Sequence, residues 1–545
     1  MKSLSFVGTT RELRAVATLL LVNSLLLTPV WILGGRVGPQ LLALEAAVLT
    51  ASFLLMPAAR WSRLCAWVAG PLVAVIAVLQ LGDTMARMSL ARPLNLYLDV
   101  QLVSAVSNLL HGMLGSVGGS LVMLVAVLAS VGTAVLIASL LSGLSRDVSD
   151  RRQQIVGAVL LASALIAVPV RWLHPAGVVM GLPAIQLVRE QSIHLAHMLQ
   201  ENGRFSKEMA AARADYSETP DILAGLGGRD VILAFVESYG MSALEDPRYA
   251  PVVRPRLDAM SIALEDQGLH VATGMLIAPS QGGMSWLGHG SLLSGLWLEN
   301  QLRYDLLLAS DRGTLVDDFE AAGYRTTALM PAITMAWPEG ARFGYEEIYA
   351  RKDIDYAGPP LNWVTMPDQF TWSFLEETIR DAEDDRPLFA ELGLISSHAP
   401  WTPILPILED WQGIGDGAVF QQWADAGEAP EVLWRDVDRV REAYAMSVAY
   451  AVDAMAGYAA RFVDDGAILV AMGDHQPAPL ITGDDATQAV PVHVVAPNRT
   501  LLQPFLEWGF TPGVFPEPGG EALRMDAFRS WFVTAFSTSF ADDGP

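Results

Sequence analysis

Cysteine is almost missing from this chain. Cys65 is the only one in 545 residues, so neither an internal disulfide nor a cysteine-based zinc centre can form. An oxidising compartment stays open to it, because a large core needs no staples. Basic charge is scarce too. The 35 Lys and Arg stand against 59 Asp and Glu, a net charge of −24. That deficit argues against nucleic acid as a partner, since phosphate neutralisation needs clustered cations. An acidic surface also simply keeps a domain soluble.

Apolar sequence is abundant instead. Hydrophobic residues make up 52% of the chain and the mean hydropathy is positive, too apolar for a soluble enzyme of this length. The apolar runs lie almost entirely before Arg171, and the sequence after about Pro220 reads as water-soluble. Five stretches approach or reach the ~20 apolar residues that span a bilayer. They are Ala15 to Leu33, Leu41 to Met56, Leu64 to Leu81, Val117 to Leu141 and Ile155 to Val170, the second and fifth being short. No small-residue cleavage site follows the first, which reads as an anchor.

Basic residues orient these spans. Lys2, Arg11 and Arg14 precede the first, Arg60 and Arg63 follow the second, and Arg146, Arg151 and Arg152 follow the fourth. The alternate loops hold only Arg36, and Arg87 with Arg92. With the N-terminus inside and five spans, everything after Arg171 lies on the outer face. The expected organisation is a transmembrane domain over 1–173, an amphipathic juxtamembrane linker over 174–228 and an extracytoplasmic domain over 229–545. The stretch from Leu182 to Tyr216 has helical spacing and reads either as an interfacial connector or as a linker helix packed on the soluble domain. His194 and His197 within it suit a metal by spacing, or are incidental on a surface helix.

From Asp230 onward, strand-like and helix-like runs alternate, as in a mostly parallel α/β sheet. Val231 to Val236 ends in Glu237-Ser238-Tyr239-Gly240, Leu388 to Ile395 in Ser396-Ser397-His398, and Ala467 to Met472 in Gly473-Asp474-His475. Thr326 to Met330 is a further strand. Three groups able to bind a metal thus follow the carboxyl ends of strands, the edge at which open α/β sheets bind ligands. Between them, Gly282-Gly283-Met284-Ser285 leads into the helix start Trp286-Leu287-Gly288-His289. A hydroxyl there meets the positive helix end and free backbone N–H groups, which favour an alkoxide and a phosphate. Serine at that position is equally an ordinary N-cap.

The run from Ser285 to Gly295 (SWLGHGSLLSG) is similar to the sulfatase signature, in which a Cys or Ser nucleophile precedes a Ser-Leu-Leu-Thr-Gly helix. The soluble half resembles the branch of the alkaline phosphatase/sulfatase superfamily that holds lipoteichoic acid synthases, periplasmic-glucan phosphoglycerol transferases and phosphoethanolamine transferases. The matching pieces are Val231–Gly240, the Ser285 turn, Phe343–Tyr349, Met366–Phe370, Ser397–Trp401, Tyr450–Asp453 and Gly473–Pro477, in the family's order. The resemblance implies a five-helix membrane domain followed by a sulfatase-like α/β catalytic domain. It implies one divalent metal, zinc or manganese, held by Glu237, Ser285, Asp474 and His475. It implies Ser285 as nucleophile and His398 at the transferred group or its leaving oxygen.

Three departures qualify it. Serine stands where that branch usually has threonine. Leu287 and His289 replace the signature Pro and Arg, so the context for formylglycine is absent, which speaks against a sulfatase. The residues that hold phosphoglycerol in the synthases have no clean match, and Trp337 and Arg342 are the candidates in that region. His289 reads as a phosphate contact or a polar helix residue, and His493 as a substrate-side or a structural histidine. The implied activity is transfer of a phospho-linked head group from a membrane phospholipid to an extracytoplasmic glycan or glycolipid, a periplasmic glucan for example. The same residues would serve a phosphodiesterase or phosphatase, and a non-catalytic envelope sensor is a third reading. The resemblance places the chain in a bacterial cytoplasmic membrane with its catalytic domain outside.

Overall fold

The structure is a computed structural model. It describes all residues except 1–3, 34–39, 91–92, 97–98, 100–101, 146–150, 174–179, 213–215, 217–218, 336 and 538–545. It divides into two compact units, Met1–Glu201 and Asn202–Pro545.

The first unit is helical. Its elements are α1 (Leu4–Leu33), β1 (Leu42–Ala43), α2 (Leu44–Leu55), α3 (Arg60–Leu90), α4 (Leu102–Ser142), α5 (Arg151–Leu173), β2 (Met180–Gly181) and most of α6 (Pro183–Ala211). Among the described residues, three helical stretches are long and apolar enough to cross a membrane, where five were expected: Glu12–Leu33, Arg60–Met88 and Leu114–Ser142. Helix α2 has 12 residues and rises about 18 Å, well short of a hydrocarbon core of about 30 Å. The fifth stretch falls in α5, a helix of 23 residues, and the side chains of 168–173 lie outside the described residues. These two helices pack on each other, with Gly157 of α5 closely facing Leu54 and Leu55 of α2. Of the residues that orient the spans, Lys2, Arg36, Arg92 and Arg146 lie outside the described residues. Most of the stretch from Leu182 to Tyr216 is the single helix α6, and Ile185, Val188 and Leu199 are exposed on it. His194 and His197 belong to no metal-capable cluster among the described residues.

The second unit is built on a nine-stranded sheet. Its strands are β3 (Asp230–Val236), β4 (His270–Ile277), β5 (Arg325–Met330), β6 (Glu347–Ala350), β7 (Leu388–Leu394), β8 (Ala467–Gly473), β9 (Ala489–Ala496), β10 (Thr511–Pro512) and β11 (Leu523–Arg524). The order is β10-β4-β9-β8-β3-β7-β5-β6, with β11 beside β4. Strands β8, β3, β7, β5 and β6 are mutually parallel, and β9 runs antiparallel between β8 and β4. The helices are α7 (Ser242–Glu245), α8 (Ala250–Asp266), α9 (Ser285–Ser294), α10 (Gln301–Leu308), α11 (Leu315–Ala321), α12 (Pro338–Phe343), α13 (Asp368–Phe374), α14 (Pro430–Leu433) and α15 (Val437–Phe462).

The apolar strand runs follow from burial on both faces. In β3, Ile232, Ala234 and Val236 enter one core together with α8, α13 and α15. Val231, Leu233 and Phe235 enter the other with α9, α10 and α11. Strand β8 divides likewise, Leu469 and Ala471 on one side, Ile468, Val470 and Met472 on the other. Side chains alternate across a strand, so the sheet is sandwiched, and polar groups reach solvent just past its strand ends. Central strands β3, β7 and β8 therefore deliver their next residues to one edge.

Candidate active site

Glu237 follows β3, Asp474 and His475 follow β8, and the two strands are paired in register, Val236 opposite Gly473. Gly473 is required at that crossing: a Cβ there would sit 1.8 Å from the Tyr239 carbonyl oxygen. Ser238, just after Glu237, holds φ at 55°, a left-handed conformation that costs a non-glycine residue of order 1 kcal/mol and is typical of functional sites. Its N–H donates to Asp474 Oδ1 at 2.8 Å and its hydroxyl to Glu237 Oε1 at 2.8 Å.

Ser285 opens α9. Met284 before it is also left-handed, with φ 61°. The Ser285 hydroxyl donates to Glu237 Oε2 at 3.1 Å. Helix α9 thus aims its N-terminal end, with free N–H groups and positive dipole, at the carboxylates beyond β3 and β8.

Glu237, Asp474 and His475 present oxygen and nitrogen atoms that all lie within 4.8 Å of one another. His475 Nε2 is 3.4 Å from Glu237 Oε1 and 3.7 Å from Asp474 Oδ2, and this buried nitrogen has no hydrogen-bond partner. His475 Nδ1 is 2.8 Å from the Gln476 carbonyl oxygen. A carbonyl only accepts, so Nδ1 carries the hydrogen and the Nε2 lone pair faces the carboxylates. Burial pushes the Asp474 carboxyl up, and the nearby Glu237 charge adds to this, to about 6. Burial also raises Glu237, but His475 and His398, with hydrogen bonds from its neighbours, outweigh it and bring the carboxyl down to about 2. Burial opposes charge on His475 as well, and the two carboxylates override it and raise its pKa. Two buried carboxylates and a correctly turned imidazole are the donor set of a divalent cation. The residues present fit a metal.

His398 follows β7 in an exposed turn, its Nδ1 against the Ala399 carbonyl oxygen, which leaves Nε2 outward. Ser397 ties this turn to β3 by donating to the Glu237 carbonyl oxygen at 2.6 Å. Asp368, in the Met366–Phe370 segment, anchors it from α13. Its Oδ1 accepts from Ile395 N–H at 2.9 Å and Ser396 N–H at 2.8 Å. Burial raises this carboxyl to about 6.

The proposed substrate contacts fare unevenly. His289 sits one turn along α9 from Ser285, close to the cluster. Trp337 precedes α12, part-buried, and stacks on Tyr345 with ring centroids 6.4 Å apart. The Arg342 guanidinium donates to the carbonyl oxygens of Leu308, Ser310 and Arg312, closing a loop after α10. His493 takes the structural alternative. It is fully buried in β9, with Nε2 at 3.0 Å from Tyr239 Oη and Nδ1 at 3.0 Å from Thr273 Oγ1. Both nitrogens are occupied inside the sheet, and burial drives its pKa down to about 4.

Sequence reasoning missed Glu391. It lies within β7, 1% exposed, and its Oε1 is 2.7 Å from His289 Nδ1. The signal available was a lone acid in the apolar run Leu-Phe-Ala-Glu-Leu-Gly-Leu.

No family model and no curated protein sequence matches the chain. Solved structures of low identity do. The lipoteichoic acid synthase LtaP from Listeria monocytogenes is 13% identical over 53% of this chain and 70% of its own, with TM-score 0.35. The Streptococcus pyogenes phosphoglycerol transferase GacH, solved with sn-glycerol-1-phosphate, is 12% identical over 55% and 74%, with TM-score 0.35. The periplasmic domain of EptC from Escherichia coli, a zinc complex, is 16% identical over 53% and 76%, with TM-score 0.32. At such values the likeness carries no argument about activity.

Proposed function

We propose that this chain is a membrane-anchored, metal-dependent enzyme that moves a phospho-linked head group through a covalent phospho-Ser285 intermediate. The observation that carries it is the meeting of a helix-terminal serine hydroxyl with Glu237, beside the unpartnered Nε2 of His475 and the Asp474 carboxylate. Glu237, Ser285, Asp474 and His475 would hold one zinc or manganese ion. When bound, the ion would neutralise charge on the reacting phosphoryl group as a Lewis acid.

In the first step Ser285 Oγ attacks the phosphorus of a phosphodiester. The P–Oγ bond forms, the bond to the lipid oxygen breaks, and the serine proton passes to the Glu237 oxygen that already accepts it. His398 Nε2 gives a proton to the departing lipid oxygen. In the second step an acceptor hydroxyl attacks phospho-Ser285, its proton returns to His398, and Ser285 Oγ leaves and regains its own. The N-terminal N–H groups of α9 favour the phosphoryl charge throughout.

The donor in this reading is a membrane phospholipid, phosphatidylglycerol or phosphatidylethanolamine. A chain with its own apolar helices raises the local concentration of such a donor. The acceptor is an extracytoplasmic glycan such as a periplasmic glucan, reached by a catalytic domain over 229–545 outside the cytoplasmic membrane, with 1–173 in the bilayer and 174–228 linking them.

The test is transfer of label. Purified full-length protein with zinc or manganese receives head-group-labelled phosphatidylglycerol and a glucan. Label on the glucan is expected, and free phosphoglycerol alone would make the enzyme a hydrolase. Ser285→Ala should abolish both products; full turnover in that variant would remove the covalent mechanism.

A further inference from the structure

Among the described residues the sheet carries one fully buried carboxylate, and the mechanism above does not use it. Glu391 is the fourth residue of β7, opposite Leu233 of β3 and Ala328 of β5. Its neighbours Ala390 and Leu392 belong to the α8–α15 core, whereas Phe389, two residues before it, belongs to the α9 core. Side-chain alternation therefore turns Glu391 towards α9. A carboxylate at 1% exposure in the middle of a sheet is tolerated only when its partners are supplied. Two are. Tyr345 donates its hydroxyl to Oε2, and His289 donates from Nδ1 to Oε1 at 2.7 Å.

His289 is in turn fixed. Its ring stacks on Phe235, centroids 3.8 Å apart and planes 23° from parallel. A carboxylate only accepts, so Nδ1 carries hydrogen and Nε2 is the remaining functional atom. The side chain is 16% exposed, and Nε2 is neither bonded to a described residue nor among the buried unpartnered atoms. The edge open to solvent is therefore the Nε2 edge. His289 lies four positions after Ser285, so both lie on one face of α9, one turn apart. Its field also reaches the Asp474 carboxyl. An imidazole pinned by a buried carboxylate, with its second nitrogen beside a helix-terminal nucleophile, is built to act on what that nucleophile carries.

We propose that His289 Nε2 binds a nonbridging oxygen of the phosphoryl group on Ser285, and that Glu391, steadied by Tyr345, is the positioning residue that holds the ring for it. This deepens the phosphotransfer reading and rests on it for the identity of the group. As an imidazolium the ring donates from both nitrogens, with Glu391 as its countercharge. His398 remains the group that serves the leaving oxygen and the acceptor, from β7's far turn.

The test uses the full chain in detergent with zinc. Inorganic phosphate binding is followed by calorimetry, and turnover with bis(p-nitrophenyl) phosphate. His289→Gln should weaken phosphate binding and lower kcat by about 10- to 100-fold each. Glu391→Gln, which leaves His289 in place, should lower kcat by about 10-fold with KM nearly unchanged. The double variant should be no worse than His289→Gln alone, because the two act as one unit. If Glu391→Gln lowers only the melting temperature and leaves phosphate binding and kcat intact, the glutamate is structural and the proposal falls. Fully additive losses would also overturn it. Phosphate titration needs no turnover, so the two readings can fail separately. A wild type that binds phosphate through His289 yet turns over no diester would remove the transferase reading and keep the dyad. A wild type blind to phosphate would remove the dyad.

Discussion

A Cβ placed on Gly288 would lie 2.8 Å from the backbone carbonyl oxygen of Asp474. The nucleophile's helix and the strand end that carries Asp474 and His475 are thus in backbone contact, with no side chain between them. Neither backbone can yield cheaply. Gly288→Ala should push α9 outward and separate Ser285 from the carboxylates while leaving both cores filled. A misplacement of about 1 Å costs of order 100-fold in rate. The expected result is a kcat loss of that size with a melting temperature lowered by only a few degrees. Steady-state kinetics beside a thermal melt checks it.

Metal occupancy should be visible as stability. Two buried carboxylates repel each other across the site, and a divalent cation relieves that repulsion. Ligand that binds only the folded state adds about 2.7 kcal/mol at 100 times its Kd. Zinc or manganese should therefore raise the melting temperature of chelator-stripped wild type. His475→Gln removes the Nε2 lone pair and should lose most of that rise, along with turnover. An unchanged metal-induced shift in this variant would count against the triad as the metal site.

His493 makes stability depend on pH in a known direction. Its ordinary pKa of 6.5 falls to about 4 in the fold because burial disfavours the charged ring. Between those values the unfolded chain binds the proton and the folded chain does not, so stability drops as pH falls from 6.5 towards 4. His493→Gln should be less stable at neutral pH, having lost a bond to Tyr239 or Thr273, yet should lack this slope. Denaturant titrations of both proteins at several pH values between 4 and 7 measure it.

The contrast between His493 and the other histidines shows what the sequence made legible. Strand ends announce themselves, because an apolar run that stops at Glu237, His398 or Asp474 marks where a sandwiched strand meets solvent. Helix α15 carries a long apolar face over Val437–Phe462, the periodic kind of run that marks a helix. His493 reads from sequence as substrate-side or structural, and the choice depends on its partners Tyr239 and Thr273, which come from β3's end and β4, more than 200 residues away. Only strand pairing brings them there. Arg342 shows a related point: a long cation can be taken up by nearby carbonyls, and local sequence does not say which. Apolarity alone does not say whether a 12-residue helix such as α2 spans a bilayer or packs on a neighbour, as α2 does on α5.

Asp368 offers a test of His398 that does not touch it. Its Oδ1 accepts from the N–H groups of Ile395 and Ser396, so Asp368→Ala leaves two buried donors unpaired, at a cost of about 1–3 kcal/mol each. The turn carrying His398 should loosen. In Asp368→Asn an amide oxygen can still accept both bonds, and the turn should hold. If His398 protonates the departing oxygen, looseness matters only when that oxygen is basic. A lipid alkoxide needs the proton and a p-nitrophenolate does not. Asp368→Ala should therefore lower turnover of a phospholipid donor by about 10-fold or more while sparing bis(p-nitrophenyl) phosphate, and Asp368→Asn should spare both. Equal losses on the two substrates would mean that the turn shapes the site as a whole, and that His398 is not the acid.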